Sequence, residues 1–463
     1  MQKIETGLFI FRRDLRTVDN NGLEFMKKKC KNIYTIFIFT PEQVSSSNHF
    51  KSNNAVQFMI ESLFDLSSQI EKQGGKLYCF YGKNENIVDL FIQKLNIRYI
   101  CFNKDYTPYA LERDEKIVDL CQKRKAEIDI VPDYYLHEPG TIFSSSKKPY
   151  QKFTPFYETC LKKHIEEPKK SHSFPFVITN QHLEHKITLE EAYKKFVNQP
   201  NPTILLHGGR EIALKILKSS VKKLTHYDAT HNSLDENTSQ LSPYIKFGCL
   251  SIREVYKTFQ KNKAFVRQLI WRDFYMNILY SFPYVLHGAM KQNYNKIRWH
   301  SSISHFESWK KGLTGFPVVD AGMREMNETG YMHNRARLIV SSFLVKTLLI
   351  NWQKGEKYFA QKLVDYDPAS NNGNWQWTAG TGADSQPYFR IFNPWEQAKN
   401  YDPDANYIKK WIPELREVPV KDIFRWDEKC TEYRKKGMKY PCPIVDYSTQ
   451  KEEALKLYSS LFH

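Results

Sequence analysis

The sequence predicts an α/β N-terminal domain built on a doubly wound parallel sheet, then an all-α C-terminal domain, with a long connector between them. Three observations predict this. Apolar runs of strand length alternate with longer helical patterns from residue 6 to about 135, and such alternation implies a parallel sheet with helices on both faces. Residues 136 to about 205 are irregular and rich in Pro, Ser and Lys. From about 206 the pattern is helical to the end, with long apolar stripes such as residues 337–352.

In order, the strand candidates are 8–11 (LFIF), 33–39 (IYTIFIF), 76–81 (KLYCFY), 99–102 (YICF) and 127–131 (EIDIV), with helices expected over 56–73 and 113–125. The stretches GTIFSSSKKPYQKFTPF and EEPKKSHSFPF read as a long connector that wraps the first domain. The expected limits are therefore 1–135, 136–205 and 206–463. No internal repeat interrupts this plan.

A chain of 463 residues has room for two or three cores, and 41% hydrophobic with 26% charged residues marks it as globular. A net charge of +17 favours a polyanionic partner such as nucleic acid over the alternative, a merely Lys-rich surface. Eight cysteines are scattered without a CxxC pair, which argues against structural zinc or iron–sulfur sites and suits a reduced intracellular compartment. No apolar stretch approaches 18 residues, and the N-terminus runs into a strand without a signal peptide, so a soluble protein without a membrane partner or metal is expected.

The usual nucleotide motifs are missing: no GxGxxG follows a strand, and no GxxxxGK[ST] occurs. Gly380-Thr381-Gly382 follows an aromatic helical segment, so it is no dinucleotide fingerprint. His333, beside Asn334 and Arg335, reads as structural. More informative is Trp375-Gln376-Trp377, within NNGNWQWTAGTGADSQPYFRIFNP (371–394). A helix turns residues two apart by about 200°. One indole would then face the interior and the other a cleft. All nine Trp lie between Trp271 and Trp426, so one half of the protein is built around a flat aromatic ligand.

Longer motifs carry a resemblance. TGFPVVDAGMREM (314–326), NRARLIVSSFLVKTLLINWQ (334–353), FRRDLRTVDN (11–20), TSQLSPY (238–244), LIWRDFY (269–275), the WQW run and YPCPIVDY (440–447) resemble, in the same order, the segments of class I DNA photolyases of the photolyase/cryptochrome family. The resemblance spans about residues 6–455. It implies FAD in the helical domain and an antenna function for the α/β domain. Thr238, Ser239, Gln240, Leu241 and Ser242 would then surround the diphosphate, with Tyr227 nearby. Arg272 and Arg337 would be cationic contacts, Arg337 paired to Asp365, while Asp365 and Asp367 face the flavin ring edge. Asn334 completes the FAD set, and Asn371 faces the redox-active ring nitrogen, a neutral residue that leans towards repair. Trp375, Trp352 and Trp299 match the family's three-tryptophan electron chain, with Trp352 closing one long helix; Trp309, Trp395, Trp411 and Trp426 stay with packing.

The same resemblance implies UV-damaged DNA as the partner of a monomeric, DNA-associated protein, cytoplasmic or nuclear. Gln268, Trp271, Tyr275, Asn334, Arg335, Leu338, Trp377 and Arg390 would form the substrate face. A pyrimidine dimer must be flipped out to reach the flavin, Trp271 and Trp377 would clamp it, and Arg335 and Arg390 would hold phosphates. Asn334 and Leu338 replace the two proton-transferring histidines of (6-4) photolyases, which points to cyclobutane dimers. Gln268 stands where a Glu is usual, and animal cryptochromes also carry Gln there. The rival is a blue-light photoreceptor without repair activity; ending at His463 leaves no room for the long tail such sensors usually carry. The antenna pigment is left open. Glu112 is retained in DYTPYALERD (105–114), but Leu111, Val285 and Leu286 depart from the pattern of folate binders.

Overall fold

Five parallel strands form one sheet in the order β3-β2-β1-β4-β5: β1 (Ile4–Phe11), β2 (Cys30–Phe39), β3 (Leu77–Tyr81), β4 (Tyr99–Asn103) and β5 (Glu127–Val131). The structure, a computed structural model, describes residues 3–236 and 238–461. Successive side chains take opposite faces. Phe9, Phe11, Phe37 and Phe39 enter one core cluster, while Leu8, Ile10, Ile36 and Ile38 enter another. The strands are near-continuously apolar because helices cover both sides. The first cluster continues into Leu241, Tyr244, Phe247 and Val255 of the helical half, so both halves share a core.

The strand order reverses at β1 and β4, whose carboxyl ends open a crevice. The FRRDLRTVDN segment lies there and makes a buried ion network to the helical half. Arg253, on the Ile252–Phe259 helix, donates from Nε to Asp19 Oδ2 at 3.0 Å and from Nη2 to Asp133 Oδ1 at 2.7 Å. Arg16 donates to the other Asp133 oxygen. Burial alone would raise the Asp133 pKa, but Arg16 and Arg253 outweigh it and hold the carboxyl below its ordinary value.

Three features depart from the sequence expectations. Residues 136–205, expected to be irregular, carry two short helices, Phe153–Cys160 and Leu189–Phe196, the second started by a Thr188/Glu191 capping box. The stripe 337–352 is not one helix. Asn334–Ser342 passes into a π-turn over Phe343–Thr347, Leu349 takes φ 54°, and Trp352 opens the next helix rather than closing one, with Asn351 as its cap. Phe343, Leu344, Val345, Leu348 and Ile350 are all buried, so their apolar run has no period to reveal the break. Finally, Cys430 and Cys442 form a disulfide, where only thiols were expected. Trp426 Nε1 donates to Pro441 O and Tyr440 donates to Asp320, and this anchored turn leaves the two Cα atoms 5.3 Å apart, within bridging range. The other six cysteines are buried and free.

Among the described residues no helix is long and apolar enough to cross a membrane, and no His/Cys/Asp/Glu group is arranged to hold a metal. Removing one partner of a buried ion pair leaves an uncompensated charge, at a cost of about 3–5 kcal/mol. Arg253→Ala should therefore lower urea-denaturation stability by that amount. A loss below about 1 kcal/mol would show that Asp19 and Asp133 do not need this arginine.

Candidate functional site

The site is a cavity of about 460 Å³ in the helical half. Its organising element is the Pro368–Ala379 helix. Asp367 caps it by accepting from Ser370 N at 3.0 Å, Pro368 fills the first turn, and Gly380 ends it in a left-handed conformation with φ 83°. The helix puts the two indoles of WQW on different faces. Trp375 is 2% exposed and packs on Phe359 with ring centres 4.9 Å apart, whereas Trp377 is half-buried; both line the cavity. Two glycines permit the packing. A Cβ at Gly355 would lie 2.2 Å from the Trp375 ring, and one at Gly373 would lie 2.1 Å from Tyr275.

One end of the cavity is polar. Thr238, Ser239, Leu241 and Ser242 line it, with Tyr227 beside them; Ser242 Oγ donates to Asp365 Oδ2 at 2.6 Å. Arg337 makes a two-point contact with Asp365 at 2.9 and 3.1 Å. Arg272 donates to Tyr134 O at 2.7 Å and lies over the Tyr135 ring. Asp367 accepts from Arg13 Nη2 at 2.8 Å. Burial alone would raise the Asp367 pKa, but Arg13, Arg272 and the helix-start amide hold it below its ordinary value. Gln240 is the exception: it takes φ 54° and does not line the cavity, because the chain reverses there before the short helix that starts at Ser242.

The apolar part of the lining includes Leu338, Phe359, Leu363 and Trp375. Asn371 Nδ2 donates to Glu356 O at 3.0 Å, which leaves Oδ1 as its free acceptor. Trp375 Nε1 is buried without a partner. Hydroxyls and cations, a free amide acceptor and apolar and aromatic lining together suit a diphosphate linked to an aromatic ring system. Trp352 is buried in the same cluster as Trp375, and half-buried Trp299 packs against that cluster. Trp309, expected only to pack, also meets Trp375 edge-on at 6.2 Å.

The mouth is formed by Gln268, Trp271, Tyr275, Asn334 and Trp377. Trp271 stacks on Phe153 at 3.7 Å between centres, with planes 4° apart, and Tyr275 O–H donates to Asn374 Oδ1. Gln268 is exposed. Arg335 and Arg390 do not line the cavity. Arg335 donates to Asn232 Oδ1, a lining residue, at 2.6 Å and sits over the Tyr401 ring, while Arg390 lies exposed on the loop after the WQW helix. Burial lowers the Arg335 pKa, with Tyr401 opposing it and the charge of Arg390 adding to it. His333 is a structural cap: its Nδ1 accepts from Arg335 N, and burial lowers its pKa to about 4.

Two family models match this chain, DNA photolyase over residues 8–175 and the FAD binding domain of DNA photolyase over residues 265–460. The deoxyribodipyrimidine photo-lyase of Halobacterium salinarum is 32% identical, over 97% of this chain and 98% of its own length. The chain belongs to the DNA photolyase family. Among solved structures, the archaeal photolyase from Sulfolobus tokodaii, crystallised with two FAD molecules, is 38% identical with a TM-score of 0.87, covering 98% of this chain and 100% of that one. A Synechocystis cryptochrome is 28% identical with a TM-score of 0.89, covering 99% and 100%.

Within this family site, the sequence reading missed Lys246, Asn374 and Glu356. Lys246 was within reach, since it lies one helical turn after Ser242. Glu356 is buried and accepts from Asn372 Nδ2 at 3.1 Å; burial raises its pKa to about 7, with the Asn372 bond opposing. The folded protein therefore holds this proton more tightly than the unfolded chain, whose glutamate titrates near 4.5. The linked stability is fully present below that value and is lost as pH rises through about 7. Glu356→Gln stays neutral and should escape the loss. Its melting temperature should gain on the wild type between pH 5 and pH 8, and an equal difference at both would refute the buried proton.

Proposed function

We propose that the cavity holds FAD and that the protein uses blue light to split cyclobutane pyrimidine dimers flipped out of DNA, as a monomeric, DNA-associated, intracellular enzyme of class I type. The observation that carries this reading is the convergence, in one cavity, of the diphosphate-type and ring-facing residues with the indoles of Trp271 and Trp377. Bound in its reduced form, FAD supplies the photoexcited electron that opens the dimer and receives it back.

This chain's residues do the rest. Thr238, Ser239 and Ser242 bind the diphosphate, and Asn371 Oδ1 accepts from a ring N–H. Leu338, Phe359 and Trp375 keep water from the ring. Trp271, held flat by Phe153, and Trp377 sandwich the flipped bases, with stacking worth about 1–3 kcal/mol per base. Gln268 accepts and donates at the base edge without moving a proton. Asn334 and Leu338 offer no proton for (6-4) chemistry. Arg335 and Arg390 bind phosphates, so affinity falls as salt rises. Trp375, Trp352 and Trp299 relay electrons inward from the surface.

For the antenna, Glu112 points outward into an exposed ion pair with Lys116, which supports a pigment other than folate. Arg12 Nε and Nη2 and Arg113 Nη2 are buried without partners near the carboxyl end of β1, where a pigment with an electron-rich edge would satisfy them.

The test is dimer content in UV-irradiated DNA incubated with purified, reduced protein in blue light and in darkness. Loss of dimers only in light is expected; normal FAD content without light-dependent loss would favour the photoreceptor. Trp377→Ala should weaken binding of dimer-containing DNA about 5- to 150-fold, following the stacking energy, while leaving undamaged DNA nearly unaffected. Equal weakening for both DNAs would remove Trp377 from the lesion clamp.

A further inference from the structure

Lys246 is a cation of the cavity wall that has no ion-pair partner among the described residues. Its cationic neighbours are committed: Arg337 to Asp365, Arg13 to Asp367 and Asp105, and Arg272 to the Tyr134 carbonyl and the Tyr135 ring. The Lys246 side chain lines the cavity, with Nζ 3.9 Å from the centre of the Phe247 ring. Among the described residues its Nζ makes no hydrogen bond or ion pair. Its own backbone carbonyl accepts from Arg13 Nε at 3.3 Å, which fixes the root of the side chain. A partly buried ammonium that lacks a partner is less favourable until an anion arrives.

The position narrows the choice of anion. Ser242 starts the five-residue helix that Lys246 ends, so the lysine lies about 6 Å of helical rise beyond the hydroxyl assigned to the diphosphate. The carboxylates nearest in charge are Asp367 and Asp365, the pair assigned to the ring edge. We propose that Lys246 is the counter-cation of the flavin ring, binding the reduced, anionic ring more tightly than the oxidised, neutral one and so setting the pocket's preference for reduced FAD. This rests on the FAD reading given above.

Proton accounting follows. Burial, then Arg13, lowers the Lys246 pKa to about 7, against the pull of Asp367 and Asp365. The charged groups acting on it are Arg13 after β1 and Asp367 and Asp365 before the WQW helix, all held in ion pairs. A dithiol reductant, oxidised to its disulfide, releases two electrons and two protons. The ring takes both electrons and one proton, and a neutral Lys246 takes the other. Lys246 is a positioning charge that transfers nothing to the substrate.

The experiment measures the reduction potential of bound FAD at pH 6 and pH 8.5, and the affinity of the FAD-free protein for oxidised FAD. Wild type, Lys246→Met and Lys246→Arg are compared, with thermal melts to establish folding. Lys246→Met should lose about tenfold of the preference for reduced FAD at pH 6, about 30 mV for a two-electron couple, while oxidised FAD binds as in wild type. Lys246→Arg should keep the preference at both pH values, since its charge does not titrate. Equal weakening of both redox states in Lys246→Met would place the lysine on the diphosphate, and an unchanged potential would remove it from the ring; either overturns the proposal. Failure of the wild-type protein to bind FAD would instead overturn the reading beneath it.

Discussion

Asp367 is the carboxylate on which the site depends, and it is held from outside its own half of the molecule. It caps the Pro368–Ala379 helix and takes its charge partner, Arg13, from the loop after β1. That helix carries Asn371, Asn374, Trp375 and Trp377, which contribute to the inner wall and the mouth of the cavity. Arg13 also reaches Asp105 and the Lys246 carbonyl, so one guanidinium ties the sheet, the polar end of the cavity and the start of the WQW helix together. Buried charges are tolerated only when paired. The pairing thus fixes where the helix begins, and with it the direction of each indole.

The division of labour between the two indoles follows from this geometry. Trp375 is wedged between bare Gly355 backbone and Phe359 and contacts the inner cavity. Trp377, two residues on, is half-buried and lines the cavity together with the Phe153-backed Trp271. Two indoles in different settings, one buried and one half-buried, therefore line the same cavity from one helix. Arg335 and exposed Arg390 lie outside the cavity lining.

Much of this was legible in the sequence because the signals are local. The strands announced themselves as short apolar runs between helical stretches. Asp367-Pro368 and Gly380 mark a helix start and stop around WQW, which sets the rotation of the indoles. The rest depends on partners far apart in sequence. Nothing near Glu356 announces a buried proton, and nothing near Lys246 says that the neighbouring arginines are already taken. The break before Trp352 was hidden because the core surrounds it on every side. Arg335 and Arg390 carry the right charge for DNA, but only the fold reveals that Asn232 and Tyr401 draw Arg335 to the rim.

The central claim is that the cap carboxylate, secured by Arg13, organises the pocket. Its most direct measurement is the dissociation constant of FAD from Arg13→Gln, with circular dichroism and denaturation midpoints to establish that the variant is folded. The account predicts a folded protein that binds FAD at least about tenfold more weakly, a loss of 1.4 kcal/mol or more. A folded Arg13→Gln that holds FAD as tightly as the wild type would contradict it.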